Sequence, residues 1–408
     1  MKKRILQINS VAGLASTGKI VESIGVEAIK NGYESYIAYG RKAVHSQSNL
    51  IKIGGKVSIL LHFILTRFWG RHGLGSTIAT KRLIRKLALI QPDIIHFHNI
   101  HGYYLNYKIL FKYVSNLNIP IVWTMHDCWA ITGHCAHFSF VHCSKWKSKC
   151  FACPQRKNYP SSLWFDRSET NYSLKQNLFA SVKDMTVITV SDWLSSIVRE
   201  SFLKDYTIQT IYNGVDVDVF YPKSNLNEIK KKYKVLNEIM LIGVATAWSN
   251  RKGLDDYYHL REVLPSNYDI VLVGLTKRQI KVLPQGIIGI EKTWSQDEMA
   301  SLYSASDIVL NLSQEETFGL TTVEGFACGT PSIVYNTTAS PELMDNNTGK
   351  IVEPNNIKQL ISAINEILLN GKDFYSANCR KRALSFFDKK EKWKQYIELY
   401  DNLLKNKL

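Results

Sequence analysis

The stretch SQEETFGLTTVEGFACGTPSIV, Ser313–Val334, places two carboxylates, Glu316 and Glu324, around a glycine with seven residues between them. Glu316 belongs to the loop after an apolar strand, and Gly319, following Phe318, lets the backbone approach a ligand closely. The helix that begins there points unpaired N–H groups outward, a ready site for an anion, and Gly329-Thr330-Pro331 stops it. Glu324, about one turn in, offers two acceptor oxygens to a vicinal diol. Either glutamate alone would be an ordinary helix-start residue favoured by the macrodipole. The pair with its glycines instead suits a diphosphate on the amides, a ribose on one carboxylate and a sugar on the other.

A second glycine-bearing stretch, AGLASTGKIV, Ala12–Val21, nearly completes a phosphate loop. Gly13, Gly18 and Lys19 fit G-x-x-x-x-G-K, but Ile20 stands where that loop needs a hydroxyl for magnesium, which argues against a P-loop ATPase. A third set is Cys135, Cys143, Cys150 and Cys153, with gaps of seven, six and two residues, in a segment with little core pattern. Four thiolates suit a tetrahedral structural zinc. Free buried cysteines, or a ligand set drawing on His134, His137 or His142, are the alternatives, and Cys128 reads as packing.

These residues need elements to hold them. RILQIN, SYIAYG, DIIHFH, IPIVWTMHD, MTVITVS and TIQTIYNG are strand-like and alternate with helical patterns near Thr17–Asn31, Thr77–Ile90 and from Leu105. IMLIGVAT opens a second series: YDIVLVG, GIIGI, DIVLNLS, PSIVYN and GKIVEP. Alternation of this kind predicts α/β architecture, with parallel sheets covered on both faces. The expected organisation is an N-terminal Rossmann-like domain over 1–213 with a cysteine-rich insert at about 128–160. A second, doubly wound domain spans 214–385, and a helix over 386–408 packs back on the first. Two such sheets facing across a cleft would bind ligand at their carboxyl edges.

With 51 Lys+Arg against 35 Asp+Glu, the net charge of +16 calls for an anionic partner. It is concentrated, because no acidic residue lies from Ser35 to Pro92. Within that segment VSILLHFILTRFW is too short and too interrupted to span a membrane, and the N-terminal MKKRILQINS is no signal peptide, so a cytoplasmic protein is expected. The basic segment reads either as a solvated face over a core helix or as a surface resting on anionic lipid. A zinc-containing nucleic-acid-binding protein would also fit the charge and the cysteines, but it leaves the paired glutamates unexplained.

In order along nearly the whole chain, Gly18, TMHD at Thr124–Asp127, NGVD at Asn213–Asp216, RKG at Arg251–Gly253, and Glu316 with Glu324 resemble the retaining glycosyltransferases of family 4, of GT-B fold. HNIHGYYLN, HDCWAITGHC and WKSKCFACPQ are similar to its capsular and exopolysaccharide branch. The resemblance implies a UDP- or GDP-hexose donor, with Glu316 on the hexose and Glu324 on the ribose. The amides of Phe318, Gly319, Leu320 and Thr321 would meet the sugar or diphosphate, and the Gly18 turn would close over the phosphates. Lys252 and Arg251 would neutralise the leaving diphosphate in place of a catalytic metal. The family's usual Arg before that lysine is replaced by Thr246 and Ala247, leaving Arg251 or Trp248 to compensate. His126 resembles the active-site histidine, though a core histidine satisfied by Asp127 or by backbone is the alternative, and His98 and His101 are expected on the acceptor side. The acceptor would be a saccharide or lipid-linked saccharide, met at an anionic membrane surface, with no nucleic acid involved. A GT-B epimerase or phosphorylase is the nearer rival within enzymes.

Overall fold

The computed structural model describes residues 2–224 and 226–406. Contacts divide the chain into two units: residues up to Ile211 joined by those from Trp393, and Tyr212–Lys392.

The first unit is built on seven parallel strands: β1 (Arg4–Asn9), β2 (Glu34–Tyr39), β3 (Asn49–Lys52), β4 (Ile94–Phe97), β5 (Ile121–Met125), β6 (Met185–Thr189) and β7 (Thr207–Thr210). Their order is β3-β2-β1-β4-β5-β6-β7. The direction of winding reverses at β1 and β4, where Ile5 faces Ile94 and Ile8 faces Phe97. Loops leaving the carboxyl ends of such neighbours splay apart and open a crevice for ligand.

Helix Ala15–Lys30 follows β1 and buries Ile20, Val21, Ile24 and Ala28 along one face. Gly18, expected in a phosphate-facing turn, lies instead in the first turns of this helix, its carbonyl accepting from the Gly13 N–H at 2.9 Å. A side chain there would press on Val11, with its Cγ2 at 2.9 Å and its carbonyl oxygen at 3.2 Å. Glycine is therefore required by packing, and the turn itself belongs to Gly13, at φ +68°.

Helix Lys56–Trp69 turns polar residues inward and apolar residues out. It hides only His62 and Thr66, while Val57, Leu60, Leu61, Phe63 and Trp69 are exposed. The polar residues go inward because they have work there: the Gly73 and Gly75 N–H groups donate to His62 Nε2 at 3.0 and 3.3 Å, and Thr66 bonds the His62 carbonyl. No described helix is long and apolar enough to cross a membrane.

Helix Lys389–Lys405 contributes Trp393, Tyr396, Ile397, Leu399 and Tyr400 to the same core as Ile5, Ile24, Ile94, Val122 and Ile188. Burying each such apolar side chain is worth about 1.5–3 kcal/mol. Hydrogen bonds fix the register: Tyr400 OH meets His96 Nδ1 at 2.6 Å, and Tyr396 OH meets Thr124 Oγ1 at 3.1 Å. The insert after β5 has only short 3-10 turns at Trp129–Ile131, Ser139–Val141 and Lys145–Lys147. It is tied down by the buried Lys175, whose ammonium donates to the Trp129 and Thr132 carbonyls at 2.5 and 2.9 Å.

The second unit has six parallel strands: β8 (Ile239–Val244), β9 (Tyr268–Val273), β10 (Ile287–Ile290), β11 (Ile308–Asn311), β12 (Ser332–Tyr335) and β13 (Gly349–Val352). Their order is β10-β9-β8-β11-β12-β13, with the reversal at β8 and β11. Strands such as YDIVLV are buried throughout, and apolar but for Asp269, because both faces are covered.

Several histidines of the first unit are held neutral by burial, which pushes His62, His126 and His134 down to about 4. A ring that stays neutral when folded but protonates near pH 6.5 when unfolded draws protons toward the unfolded state as pH falls. Between those two values each costs up to about 1.4 kcal/mol of stability per pH unit. Urea midpoints should therefore drop steadily from pH 7 to pH 5; a flat profile over that range would show that the rings are not sequestered.

Candidate functional site

In the second unit, β8 and β11 are adjacent and parallel, with Leu241 opposite Ile308 and Gly243 opposite Leu310, so both strands deliver their following loops to one edge. After β8 the chain turns through Asn250–Lys252, and after β11 it runs to Gly319. The two loops are bolted together. The Gln314 N–H donates to the Arg251 carbonyl at 2.8 Å, and Arg251 Nη1 donates to the Glu315 carbonyl at 2.8 Å. The Lys252 ammonium pairs with the Glu316 carboxylate, and the Glu316 N–H donates to Thr338 Oγ1 at 2.9 Å.

Burial works against the charged form of Glu316, but the Lys252 ammonium, aided by Arg251 and Ser313, outweighs it and holds the carboxyl below its usual range. The pair is largely buried, with side chains 18% and 15% exposed. Such a pair is ready-made for an anionic, hydroxyl-rich ligand, because the ammonium can be shared with a phosphate while the carboxylate accepts from a hydroxyl.

Gly319, at φ +106°, precedes helix Leu320–Ala327, which has no side-chain cap. Leu320 and Thr321 are partly exposed there, whereas the Phe318 ring is buried 6.0 Å from Tyr212 and 5.9 Å from Phe387. Phe318 thus offers its backbone, not its ring. Glu324 Oε2 accepts from the buried Tyr303 hydroxyl at 3.0 Å, which fixes the carboxylate one turn into the helix. Trp248, weighed as a substitute cation-side residue, is a core side chain whose indole donates to the Val273 carbonyl at 2.9 Å. Lys252, Arg251 and Glu316 are brought together; Thr338 joins them, and Tyr303 holds Glu324, from sequence positions that carried no motif.

In the first unit, His98 directly follows β4 and His126 directly follows β5, neighbours in the sheet. His98 Nδ1 lies 3.1 Å from His126 Nε2, and His98 Nε2 lies 3.1 Å from Gln7 Oε1. His98 is buried, so the expected contact with an acceptor is corrected: its ring nitrogens face other protein groups. His126 is partly exposed at the edge. His101 Nε2 bonds Asp127 Oδ2 at 2.9 Å and its Nδ1 meets the Tyr159 hydroxyl at 2.8 Å. Burial opposes the Asp127 charge, yet the His101 ring, His137 and the Trp129 N–H more than offset it and hold the carboxyl well below the carboxylate range. Asp127 therefore hydrogen-bonds His101, while its charge also bears on the neighbouring His126.

Cys135, Cys143, Cys150 and Cys153 line one small cavity with His134, Phe138 and Trp146, and all four are free thiols. Among the described residues no group of three or more His, Cys, Asp or Glu side chains is arranged to hold a metal ion. The tetrahedral ligand set expected from the spacing is not formed by the side chains as they stand. Cys150 Sγ instead accepts from the Gly133 N–H at 3.2 Å.

A family model described as Glycosyltransferase Family 4 matches residues 18–219, and one described as Glycosyl transferases group 1 matches residues 227–385. The putative colanic acid biosynthesis glycosyl transferase WcaC of Escherichia coli (strain K12) is 23% identical over 98% of this chain and 100% of its own. The UDP-Gal:alpha-D-GlcNAc-diphosphoundecaprenol alpha-1,3-galactosyltransferase of Escherichia coli is 25% identical over 52% of this chain and 58% of its own. Among solved structures, sucrose-phosphate synthase from Thermosynechococcus elongatus matches with a TM-score of 0.74 at 17% identity, covering 99% of this chain and 100% of its own. Anabaena Alr3699/HepE in complex with UDP-glucose matches with a TM-score of 0.68 at 15% identity, covering 98% and 99%. These likenesses establish the GT-B fold, and with the two family models spanning most of its length, the chain belongs to the family 4, group 1 glycosyltransferases.

Proposed function

We propose that this glycosyltransferase moves a hexose, with retention of configuration, from a UDP- or GDP-sugar to a saccharide or lipid-linked acceptor in surface polysaccharide assembly. The observation that carries the reading is the Lys252–Glu316 pair, locked by Arg251 at the carboxyl edge of β8 and β11, where such sheets hold ligands. Glu316 takes the hexose, Glu324 the ribose, and the amides of Phe318 to Thr321 the diphosphate. Lys252 and Arg251 absorb the leaving charge in the role that a divalent metal plays elsewhere, and His126 orients the sugar or acceptor. The polysaccharide role draws on WcaC, named for colanic acid biosynthesis. The nucleotide draws on the relative named for UDP-Gal and on HepE bound to UDP-glucose.

A thermal-shift screen across UDP- and GDP-hexoses tests this directly, because a ligand at 100 times its Kd stabilises by about 2.7 kcal/mol. One nucleotide sugar should raise the melting temperature of the wild type and fail to raise that of Glu324→Ala. No shift with any of them would end the reading.

The lipid-linked acceptor accords with the exposed apolar face of helix Lys56–Trp69. Trp164, 62% exposed, extends that face by packing on Phe68 with ring centroids 4.7 Å apart. An apolar patch set in an acid-free, basic segment matches the inner, anionic face of a membrane. The protein should float with phosphatidylglycerol vesicles and not with phosphatidylcholine vesicles. Salt and the pair Leu60→Glu, Leu61→Glu should each release it, and binding indifferent to lipid charge would refute the assignment.

A structural zinc in the insert is supported only by the four thiols sharing one cavity lining. Binding would require them to rearrange, and less than about one zinc equivalent in the purified protein would remove it.

A further inference from the structure

We propose that Gln7 and His98 are positioning residues that hold His126 as the neutral tautomer protonated on Nε2. The chain of reasoning starts at a carbonyl. Gln7 Nε2 lies 2.9 Å from the Val21 carbonyl oxygen in helix Ala15–Lys30. A carbonyl only accepts, so the amide NH2 must face it, and the reversed amide would set two acceptors against each other. Gln7 Oε1 is thereby turned toward His98 Nε2 at 3.1 Å, and that nitrogen must carry the proton. His98 is buried, and burial together with its His96 and His126 neighbours keeps the ring neutral. A neutral imidazole protonated on Nε2 has a lone pair on Nδ1. That lone pair meets His126 Nε2 at 3.1 Å, with the two rings stacked 17° from parallel, so His126 is the donor.

The sheet lays this relay out in a row. Gln7 is in β1, His98 follows β4 and His126 follows β5, three neighbours in the strand order. Each orientation is set by the one before it, and the first is set by a backbone atom that cannot change its role. The consequence is that Nδ1 is the acceptor atom of the His126 ring. A sugar or acceptor hydroxyl that meets the ring does so as a hydrogen-bond donor, which leaves its oxygen more electron-rich. This last step rests on the proposed role of His126 in transfer; the tautomer does not.

The test is a long-range proton–nitrogen spectrum of the full chain labelled with 15N-histidine, with the His126 signals assigned by their loss in His126→Gln. Wild type should show a protonated Nε2 and an unprotonated Nδ1. A protonated Nδ1 would overturn the relay without any variant being made. In His98→Leu the two tautomers should mix and kcat should fall about tenfold or more with donor KM little changed, as expected when a catalytic imidazole loses its tautomer. His98→Asn, whose side-chain oxygen falls near the position of Nδ1, should restore both. A folded His98→Leu protein with an unmixed His126 spectrum would also overturn the relay. Mixed tautomers with unchanged kcat would instead sink the role of His126 in transfer.

Discussion

Lys252→Ala should lower turnover by roughly 100-fold to 1,000-fold, the range seen when one preorganised group facing transition-state charge is removed, equivalent to about 2.7–4 kcal/mol. Among the described residues the lysine supplies the ammonium paired with Glu316, and Arg251, its neighbour, gives one guanidinium nitrogen to the Glu315 carbonyl. Leaving Glu316 largely buried without its partner also relieves the electrostatic pull on its carboxyl, which then rises toward or above its ordinary range. Part of the lost turnover would therefore come from a protonated Glu316 and should be regained at higher pH. Lys252→Arg keeps the charge but not the point geometry, and should sit between. Steady-state rates with the nucleotide sugar found by thermal shift, measured across pH 6 to 9, separate these parts; near-normal turnover for Lys252→Ala would strike the residue from the mechanism.

Gly253→Ala should be nearly as damaging without touching a charge. The residue sits at φ +73°, and a Cβ there would lie 2.1 Å from the Leu312 carbonyl oxygen, backbone that cannot swing aside. The left-handed conformation alone costs about 1–2 kcal/mol for a non-glycine residue. Relieving the contact must push the Asn250–Lys252 turn away from the loop after β11, dismantling the Arg251 and Lys252 contacts together. The expectation is a protein that is less stable by a few kcal/mol and at least 100-fold slower. Urea unfolding and turnover measured on the same preparation test it. A stable, fully active Gly253→Ala would mean that the turn has slack.

What the sequence disclosed tracks how local each signal was. The paired glutamates, their glycine and the helix that follows lie in one continuous stretch, so their relation could be read from spacing. Doubly wound sheets were legible because apolar strands and helices alternate along the chain. Strand β3 was not, since NLIK lies at the sheet edge with one buried residue out of four and lacks an apolar run. For helix Lys56–Trp69 the sequence left both a core helix and a surface helix open, because composition cannot say which face turns inward. Gly18 was misplaced because a glycine required by packing inside a helix looks the same as one required by a turn. The contacts of His98 with Gln7 and His126 join residues 91 and 28 positions apart, and only the strand order brings them together. The bond from Asp127 to His101, 26 positions away, was equally hidden from spacing.

The first unit takes five buried residues of its core from the helix that begins at Lys389, near the end of the described chain. A ribosome will have emitted all seven strands of that sheet well before Trp393 and Tyr400 emerge, so the sheet must wait, with an apolar face uncovered, until that helix has been made. Expression of residues 1–211 alone should accordingly yield a chaperone-bound or insoluble product, and a nonsense mutation anywhere before Trp393 would be as disabling as one at the start.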